Sequence, residues 1–208
     1  MGKMDERIMV LDRAHLFMHE ELAFQGLLTD EEQVNKIKSR FVAFYEVKRG
    51  YAEQDERKKQ PIPYVILRRG DEIFLYKRLN AGGEDRLHDS LSIGVGGHMN
   101  MLNDNCRWAS NFKENLYREL HEELHISHGG TEAEWNVVGL INDDSDANDG
   151  VGKYHICILT ILDLPEDAVV TVKETDQLEG DWVRTQDLRK TPLFESLEAW
   201  SQMAIDAL

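Results

Sequence analysis

Apolar residues change their spacing along the chain, and this change divides the sequence into regions with different predicted structures. In the N-terminal region the apolar positions recur at the three- and four-residue intervals of a helix. Thr29 and Glu32 match a capping box, which predicts that a helix begins there. The charged stretch 51–60 then predicts a linker or surface loop. We therefore predict that residues 1–60 form a helical extension with a linker.

After the linker, the apolar residues are grouped in short runs that favour β-strands. Two such runs, 64–67 and 73–76, flank a glycine-containing turn and predict a hairpin. Three later runs have the same character: 135–141, 154–162 and 169–172. The acidic stretch 142–150 between two of them predicts a hairpin loop. A helix-forming segment without Pro or Gly, 111–128, lies between the earlier and the later strands. This order predicts an α/β domain over 61–208, with a mixed sheet and helices.

The predicted central helix has two distinct faces. Its apolar residues recur every four positions and form a stripe suited to packing on a core: Phe112, Leu116, Leu120 and Leu124. Glu119, Glu122 and Glu123 stand at i, i+3 and i+4, so they share one face beside that stripe. The helix is therefore predicted to be anchored along one side and strongly acidic along the adjoining side.

Clustered carboxylates on one helix face indicate a site for a hard cation. Each like-charged pair at this spacing destabilises a helix by roughly 0.2–0.5 kcal/mol. A divalent cation would convert that repulsion into binding, and oxygen ligands with room for water and phosphate suit Mg²⁺ or Mn²⁺. The alternative is a solvated acidic face without a ligand, because short acidic motifs often occur by chance.

The residues before the helix favour the metal interpretation. Residues 91–95 predict a short strand that ends at Gly96 and Gly97. A strand, a double glycine, a loop and then this helix together resemble the Nudix hydrolase family. The family pattern is G-x5-E-x7-R-E-U-x-E-E-x-G-U, in which U is a bulky apolar residue. Gly97 matches the first glycine, and the second half of the pattern matches from Arg118 to Ile126.

The resemblance implies a fold, a cofactor and a set of site residues. The implied fold is the α/β/α Nudix sandwich over 61–208, preceded by the helical extension. The implied cofactor is Mg²⁺ or Mn²⁺, with four expected ligands: Gly96 through its carbonyl oxygen, Glu119, Glu122 and Glu123. A catalytic role is expected for Arg118, Glu119 and Glu122, with Glu119 or Glu122 as the general base. Substrate contacts are expected from four further residues: Arg78, Gly97, His98 and Glu179.

Three departures from the family pattern lie within the motif. The loop that precedes the helix is seven residues longer than in the pattern. Ser110 stands where the pattern has a glutamate that braces the arginine, and Glu114 is the predicted substitute. His125 replaces the glycine that ends the helix, so we predict that the helix continues to His128.

Composition excludes several classes of protein. The formal net charge of −15 argues against general nucleic-acid binding, which needs a basic surface. The two cysteines, Cys106 and Cys157, are too few for a disulfide framework or a cysteine-rich zinc site. Residues 1–12 do not follow the pattern of a signal peptide, and no apolar run reaches the length of a membrane span. We therefore expect a cytoplasmic protein without a membrane contact, in which the N-terminal extension has room for a homodimer surface.

The function predicted from these observations is metal-dependent hydrolysis of a phosphoanhydride in a small phosphorylated substrate. The expected bond joins a nucleoside diphosphate to another group. Two alternatives stay open. A non-catalytic binding or regulatory module would explain Ser110 and His125, whereas a Nudix-fold isomerase acting on a diphosphate would share the glycine-rich stretch before His98.

Overall fold

The structure, a computed structural model, describes six stretches of the chain: 2–78, 91–102, 107–128, 133–145, 152–173 and 178–208. Their strands, labelled in chain order, are β1 (Arg7–Asp12), β2 (Gly26–Leu28), β3 (Tyr45–Lys48), β4 (Lys58–Arg69), β5 (Glu72–Arg78), β6 (Leu91–Ser92), β7 (Gly94–Gly96), β8 (Leu124–Ser127), β9 (Glu134–Asn142), β10 (His155–Asp163), β11 (Val169–Val172) and β12 (Leu178–Arg184). Their α-helices are α1 (Arg13–Leu16), α2 (Glu31–Lys38), α3 (Arg49–Ala52), α4 (Trp108–Glu123), α5 (Leu193–Ser196) and α6 (Ala199–Ala204).

The chain folds into two compact units, and each is assembled from separate stretches of sequence. The first unit contains Met1–Pro63, Gly97–Tyr117 and Gly139–Ile158. The second unit contains Tyr64–Gly96, Arg118–Val138 and Leu159–Leu208. The boundary predicted between residues 60 and 61 lies inside strand β4.

Strand β1 organises the pairing within the first unit. It pairs antiparallel with β3 from Arg7 to Val10, and its last two residues pair antiparallel with the start of β4. Strand β2 pairs antiparallel with β9. Four consecutive apolar residues of β1 are fully buried: Ile8, Met9, Val10 and Leu11. This strand therefore contributes directly to the core of the first unit.

The N-terminal region is consequently not the helical extension that the sequence predicts. Helix α2 is confirmed, but its N-cap is Asp30 rather than Thr29, since the Asp30 side chain accepts a 2.9 Å hydrogen bond from the Gln33 amide. The strands are missed because a short run of consecutive apolar residues has no period that separates strand from helix. The predicted linker is wrong for a different reason: Lys59 and Gln60 are polar, yet both are fully buried in β4.

A network of polar side chains makes the burial of Lys59 possible within the first unit. Lys59 Nζ lies 2.8 Å from Asp144 Oδ1. Arg13 donates to both oxygens of the same carboxylate at 2.8 Å, and it also pairs with Glu20 at 2.7 Å. Asn142 donates to Asp144 at 2.9 Å. Burial raises the pKa of Asp144, but these donors outweigh burial and hold the pKa well below its usual value. We call these five residues the Asp144 network.

In the second unit, β12, β5 and β4 lie side by side, with β6 paired to β5 and β7 paired to β4. The predicted hairpin is confirmed, since β4 and β5 join through the pair Arg69↔Glu72 around Gly70. Gly70 has a φ of +58°, a left-handed conformation that suits glycine. Strands β8 and β11 form a separate antiparallel pair. The C-terminal region forms two short helices, α5 and α6, because Leu197 between them is extended and bridges to Leu91.

The predicted fold class is confirmed, because the chain forms an α/β structure in which helices accompany a large sheet. Strand β10 lies between β4 and β9 in that sheet. None of the helices in the described stretches is both long enough and apolar enough to cross a membrane.

Candidate active site

Helix α4 carries the acidic motif near its C-terminal end. The predicted apolar stripe is confirmed, because all four of its members are buried: Phe112, Leu116, Leu120 and Leu124. This stripe fixes the rotation of the helix about its own axis, so the three glutamates lie on an adjoining face. Among them Glu119 is buried, Glu123 is half-buried and Glu122 is exposed. The predicted metal ligands are thus present on one face with graded access to solvent.

Arg118 is the charged partner of two of these glutamates. Its Nη2 donates to Glu119 Oε1 at 2.5 Å, and its Nη1 lies 3.2 Å from each carboxylate oxygen of Glu122. The Glu119 side chain is 10% exposed and that of Glu122 is 57% exposed, so solvent screens the second contact more than the first. We call Arg118 and the three glutamates the acidic turn. With one arginine and three glutamates, its formal charge is −2.

The C-terminal end of α4 differs from the prediction. The sequence predicts a helix that continues to His128, but α4 ends at Glu123 and strand β8 begins at the next residue. Lys173 accounts for the early end: its N–H donates to the Glu123 carbonyl at 2.8 Å, and its ammonium donates to the His121 carbonyl. These donors satisfy carbonyl groups that a helix terminus leaves open. His125, which replaces the family glycine, lies in β8 and pairs with β11.

The double glycine follows a strand, as predicted. Gly96 is the last residue of β7 and pairs with Tyr64 of β4. Gly96 belongs to the same compact unit as the acidic turn, so the carbonyl and the carboxylates that the family pattern combines are in one unit. Gly97 follows directly and is half-buried, and its contact with substrate stays a prediction.

His98, a predicted substrate contact, is held by protein groups of the first unit. Its Nε2 lies 2.7 Å from Gln60 Oε1 and 3.3 Å from His155 Nε2. These contacts tie the His98 ring to Gln60 and His155, and its contact with substrate stays a prediction. Sequence reasoning missed Gln60 and His155, since neither belongs to the motif.

The two remaining predicted contacts lie on neighbouring strands of the second unit. Glu179 is exposed on β12 and is the direct partner of Lys77 in the antiparallel ladder with β5. Directly opposite residues project to the same face, so Lys77 neighbours Glu179 there. Arg78 is the last residue of β5, and its side chain lies outside the described part of the structure.

The carboxylate oxygens of the acidic turn and the Gly96 carbonyl oxygen are chemically suited to bind a hard divalent cation. Carboxylate oxygens and a backbone carbonyl are the ligand types that Mg²⁺ and Mn²⁺ prefer. Across the described residues, no three His, Cys, Asp or Glu side chains are already gathered into a metal site. Binding a cation would therefore require the carboxylates of the acidic turn to converge on a common point.

Comparison with known proteins decides the family of this chain. No family model matches the sequence. Over 209 aligned residues the chain is 46% identical to protein YmaB of Bacillus subtilis (strain 168), and the alignment covers 100% of each protein. The fold matches the crystal structure of Tm1382, "a putative Nudix hydrolase", with a TM-score of 0.73, 29% identity and 97% of each chain covered. The chain belongs to the Nudix family.

The family assignment extends beyond the motif that indicated it. Both alignments include the region before residue 61, because they cover at least 97% of this chain. The N-terminal strands and helices are therefore part of the fold that this Nudix protein shares with Tm1382, and the alignment with YmaB includes the same region. The resemblance seen in the sequence, which covered 61–208, is confirmed and enlarged.

Proposed function

We propose that this Nudix protein hydrolyses a phosphoanhydride bond in a small phosphorylated substrate and that the reaction depends on Mg²⁺ or Mn²⁺. The substrate class that we favour is a nucleoside diphosphate linked to another group. The observation that carries the proposal is the acidic turn, where three glutamates and an arginine share one end of a helix anchored by its buried stripe. The similarity to Tm1382 supports the same type of reaction.

Glu122 is our choice of general base. Glu119 is buried and bonded to Arg118 at 2.5 Å, which suits a fixed, charged ligand. Glu122 is exposed, and its longer contacts with Arg118 leave its carboxylate accessible to a water molecule. In the reaction the water oxygen bonds to phosphorus, the bridging oxygen leaves with the other phosphate, and Glu122 accepts the proton from water.

A divalent cation would supply charge neutralisation and would lower the pKa of a water molecule. Its expected ligands are the Gly96 carbonyl and the carboxylates of Glu119, Glu122 and Glu123. The chain needs such neutralisation, because a protein with a formal net charge of −15 repels an anionic substrate. Arg118 would position its two glutamates by the hydrogen bonds already described.

The direct test is a hydrolysis screen of the purified protein with Mg²⁺ or Mn²⁺ and with EDTA. The substrates are nucleotide sugars, dinucleoside polyphosphates, nucleoside triphosphates and prenyl diphosphates, and products are followed by ³¹P NMR. We expect cleavage of a P–O–P bond in at least one class, with incorporation of ¹⁸O from labelled water into a product phosphate. Cleavage that persists undiminished in EDTA would contradict the metal dependence.

A binding or regulatory module is the second candidate, and a specific observation favours it. Arg118 engages Glu119 and Glu122, which reduces the charge that these two glutamates offer to a cation. This candidate predicts that Mn²⁺ and a nucleotide bind without any P–O–P cleavage, and that Ser110→Glu restores some activity. An isomerase would instead convert a prenyl diphosphate into an isomer without releasing phosphate.

A further inference from the structure

Strand β7, which carries the Gly96 carbonyl, depends on neighbouring groups for its position. It has three residues, and two of them are glycines, which lose the most conformational entropy on folding. Gly94 admits no larger residue, because a Cβ atom there would lie 2.1 Å from the Tyr64 ring. With so few side chains of its own, β7 is held by its pairing with β4 and by polar groups around it.

Four side chains of the second unit form such a polar group, which we call the Glu198 cluster: Tyr64, Ser92, Glu198 and Ser201. Tyr64 OH donates to Glu198 Oε1 at 2.7 Å, and Ser92 Oγ lies 2.6 Å from the same oxygen. Ser201 Oγ lies 2.7 Å from Tyr64 OH and accepts from the Ile93 amide at 3.0 Å. Helix α6 is thereby joined to β4, to β6 and to the backbone that leads into β7.

The hydrogen bonds of this cluster form a consistent chain of donors and acceptors. Ser201 donates to Tyr64, while Tyr64 and Ser92 donate to the Glu198 carboxylate, so each hydroxyl proton is used once. Hydroxyl donors to a carboxylate make bonds roughly twice as strong as bonds between neutral groups. Burial raises the pKa of Tyr64 well above its usual value, so Tyr64 keeps its proton and remains a donor.

The contacts of the cluster converge on the residues just before the proposed metal ligand. Tyr64 is also the backbone partner of Gly96. Ser92 Oγ accepts a hydrogen bond from the Gly94 amide at 3.3 Å, and the Gly94 carbonyl accepts one from Tyr76 OH at 2.8 Å. A displacement of this cluster would therefore shift β7 and the direction of the Gly96 carbonyl.

We propose that the Glu198 cluster positions the Gly96 carbonyl oxygen as a metal ligand, so that helix α6 supports the site from a distance. This inference rests on the proposed function, because it takes Gly96 as a ligand. Tyr64, Ser201 and Glu198 are positioning residues, which act through β7 and make no contact with the reacting atoms. Supporting groups of this kind typically change metal affinity by about 10–100-fold.

The test measures Mn²⁺ binding to the full-length protein by electron paramagnetic resonance, without any substrate. Tyr64→Phe and Glu198→Ala should weaken Mn²⁺ binding by about 10-fold or more. Glu198→Gln keeps an acceptor oxygen for both hydroxyl groups and should recover part of the affinity. Tyr45→Phe is the matched control, because Tyr45 OH also bonds to a carboxylate, Asp12 at 2.6 Å, but lies in the first unit.

Wild-type Mn²⁺ affinity in a folded Tyr64→Phe variant would overturn the inference. If that variant does not fold by circular dichroism, Ser201→Ala and Glu198→Ala decide the question in the same way. A wild-type protein that binds Mn²⁺ but cleaves no phosphoanhydride contradicts the proposed function alone, and the variant affinities still decide this inference. A wild-type protein that binds no Mn²⁺ overturns both.

Discussion

The Asp144 network and the acidic turn both gather charged side chains, but they balance their charges differently. In the network, Arg13 and Lys59 face Asp144 and Glu20, so the formal charges cancel. In the acidic turn, one arginine pairs with two of the three glutamates, and the formal charges of these four residues sum to −2. Both clusters contain an arginine that contacts two carboxylates, so this feature alone does not distinguish them.

Charge balance, rather than the number of charges, separates a structural cluster from a candidate site in this chain. A neutral network can be buried, as the full burial of Lys59 shows, because each charge has a partner that offsets the loss of water. In the acidic turn Glu122 is exposed, and we expect a cation to stabilise the cluster. Substitutions in both clusters and the binding of metal test this distinction, in order of decreasing expected effect.

Asp144→Asn should cause the largest loss of stability, about 3–5 kcal/mol, because it leaves the fully buried Lys59 without its carboxylate. Urea denaturation at neutral pH measures the loss. The pKa of Asp144 is held below its usual value, so its contribution is complete above about pH 4 and declines as the pH falls further. The difference in the free energy of unfolding between wild type and Asp144→Asn should therefore become smaller at acidic pH.

Lys59→Met provides the contrast for that variant. It removes the buried ammonium but leaves Asp144 paired with Arg13, so its loss of stability should be smaller than that of Asp144→Asn. Equal or larger destabilisation by Lys59→Met would show that the network is not organised around the carboxylate.

Glu122→Gln should have the next largest effect, and it should appear in the rate rather than in stability. The substitution keeps the shape of the side chain but removes the charge that is proposed to accept a proton. We expect kcat to fall on the order of 10²–10³-fold. Glu195→Gln, an exposed glutamate on α5, is the matched control and should retain the wild-type rate. Unchanged kcat in Glu122→Gln would transfer the role of base to Glu119 or to another group.

The two clusters also differ in how far the sequence alone could predict them. The acidic turn was predicted residue by residue, because a helix repeats regularly and places i, i+3 and i+4 side chains together. The network was not predicted, since Arg13, Lys59 and Asp144 are far apart in sequence and meet only through the pairing of strands. The sequence predicts that Lys59 lies in a linker, because charged residues are rarely fully buried.

The same limit explains the error at the end of α4. The helix was predicted to continue to His128 because the local residues allow it, but Lys173 and strand β11 close it at Glu123. Local propensity determines where a helix can form. The end of α4 is determined instead by Lys173 and strand β11, which are distant in sequence. The fold class was predictable because it depends on the order of elements rather than on their exact ends.

Mn²⁺ should raise Tm by binding at the acidic turn and should not act through the Asp144 network. At a Mn²⁺ concentration of about 100 times Kd, the native state should gain about 2.7 kcal/mol, which raises Tm. The gain should be smaller in Glu122→Gln, which loses a ligand charge, and undiminished in Asp144→Asn, whose balanced network binds no metal. A rise in Tm that is lost in Asp144→Asn but kept in Glu122→Gln would reverse the roles assigned to the two clusters.

The smallest expected effect is on the end of helix α4, next to the acidic turn. Two variants, Lys173→Met and His125→Gly, test what ends the helix there. Lys173→Met removes an ammonium from a helix C-terminus, which should lower stability by about 0.3–1 kcal/mol, and less at high salt. His125→Gly restores the family residue, yet it should also destabilise, by roughly 0.5–1 kcal/mol, because His125 lies within β8 and glycine weakens a strand. Urea denaturation at low and high salt measures both variants. A more stable His125→Gly variant would show that helix α4 favours a glycine at its C-terminal end. In that case Lys173 would not be the residue that ends the helix at the candidate site.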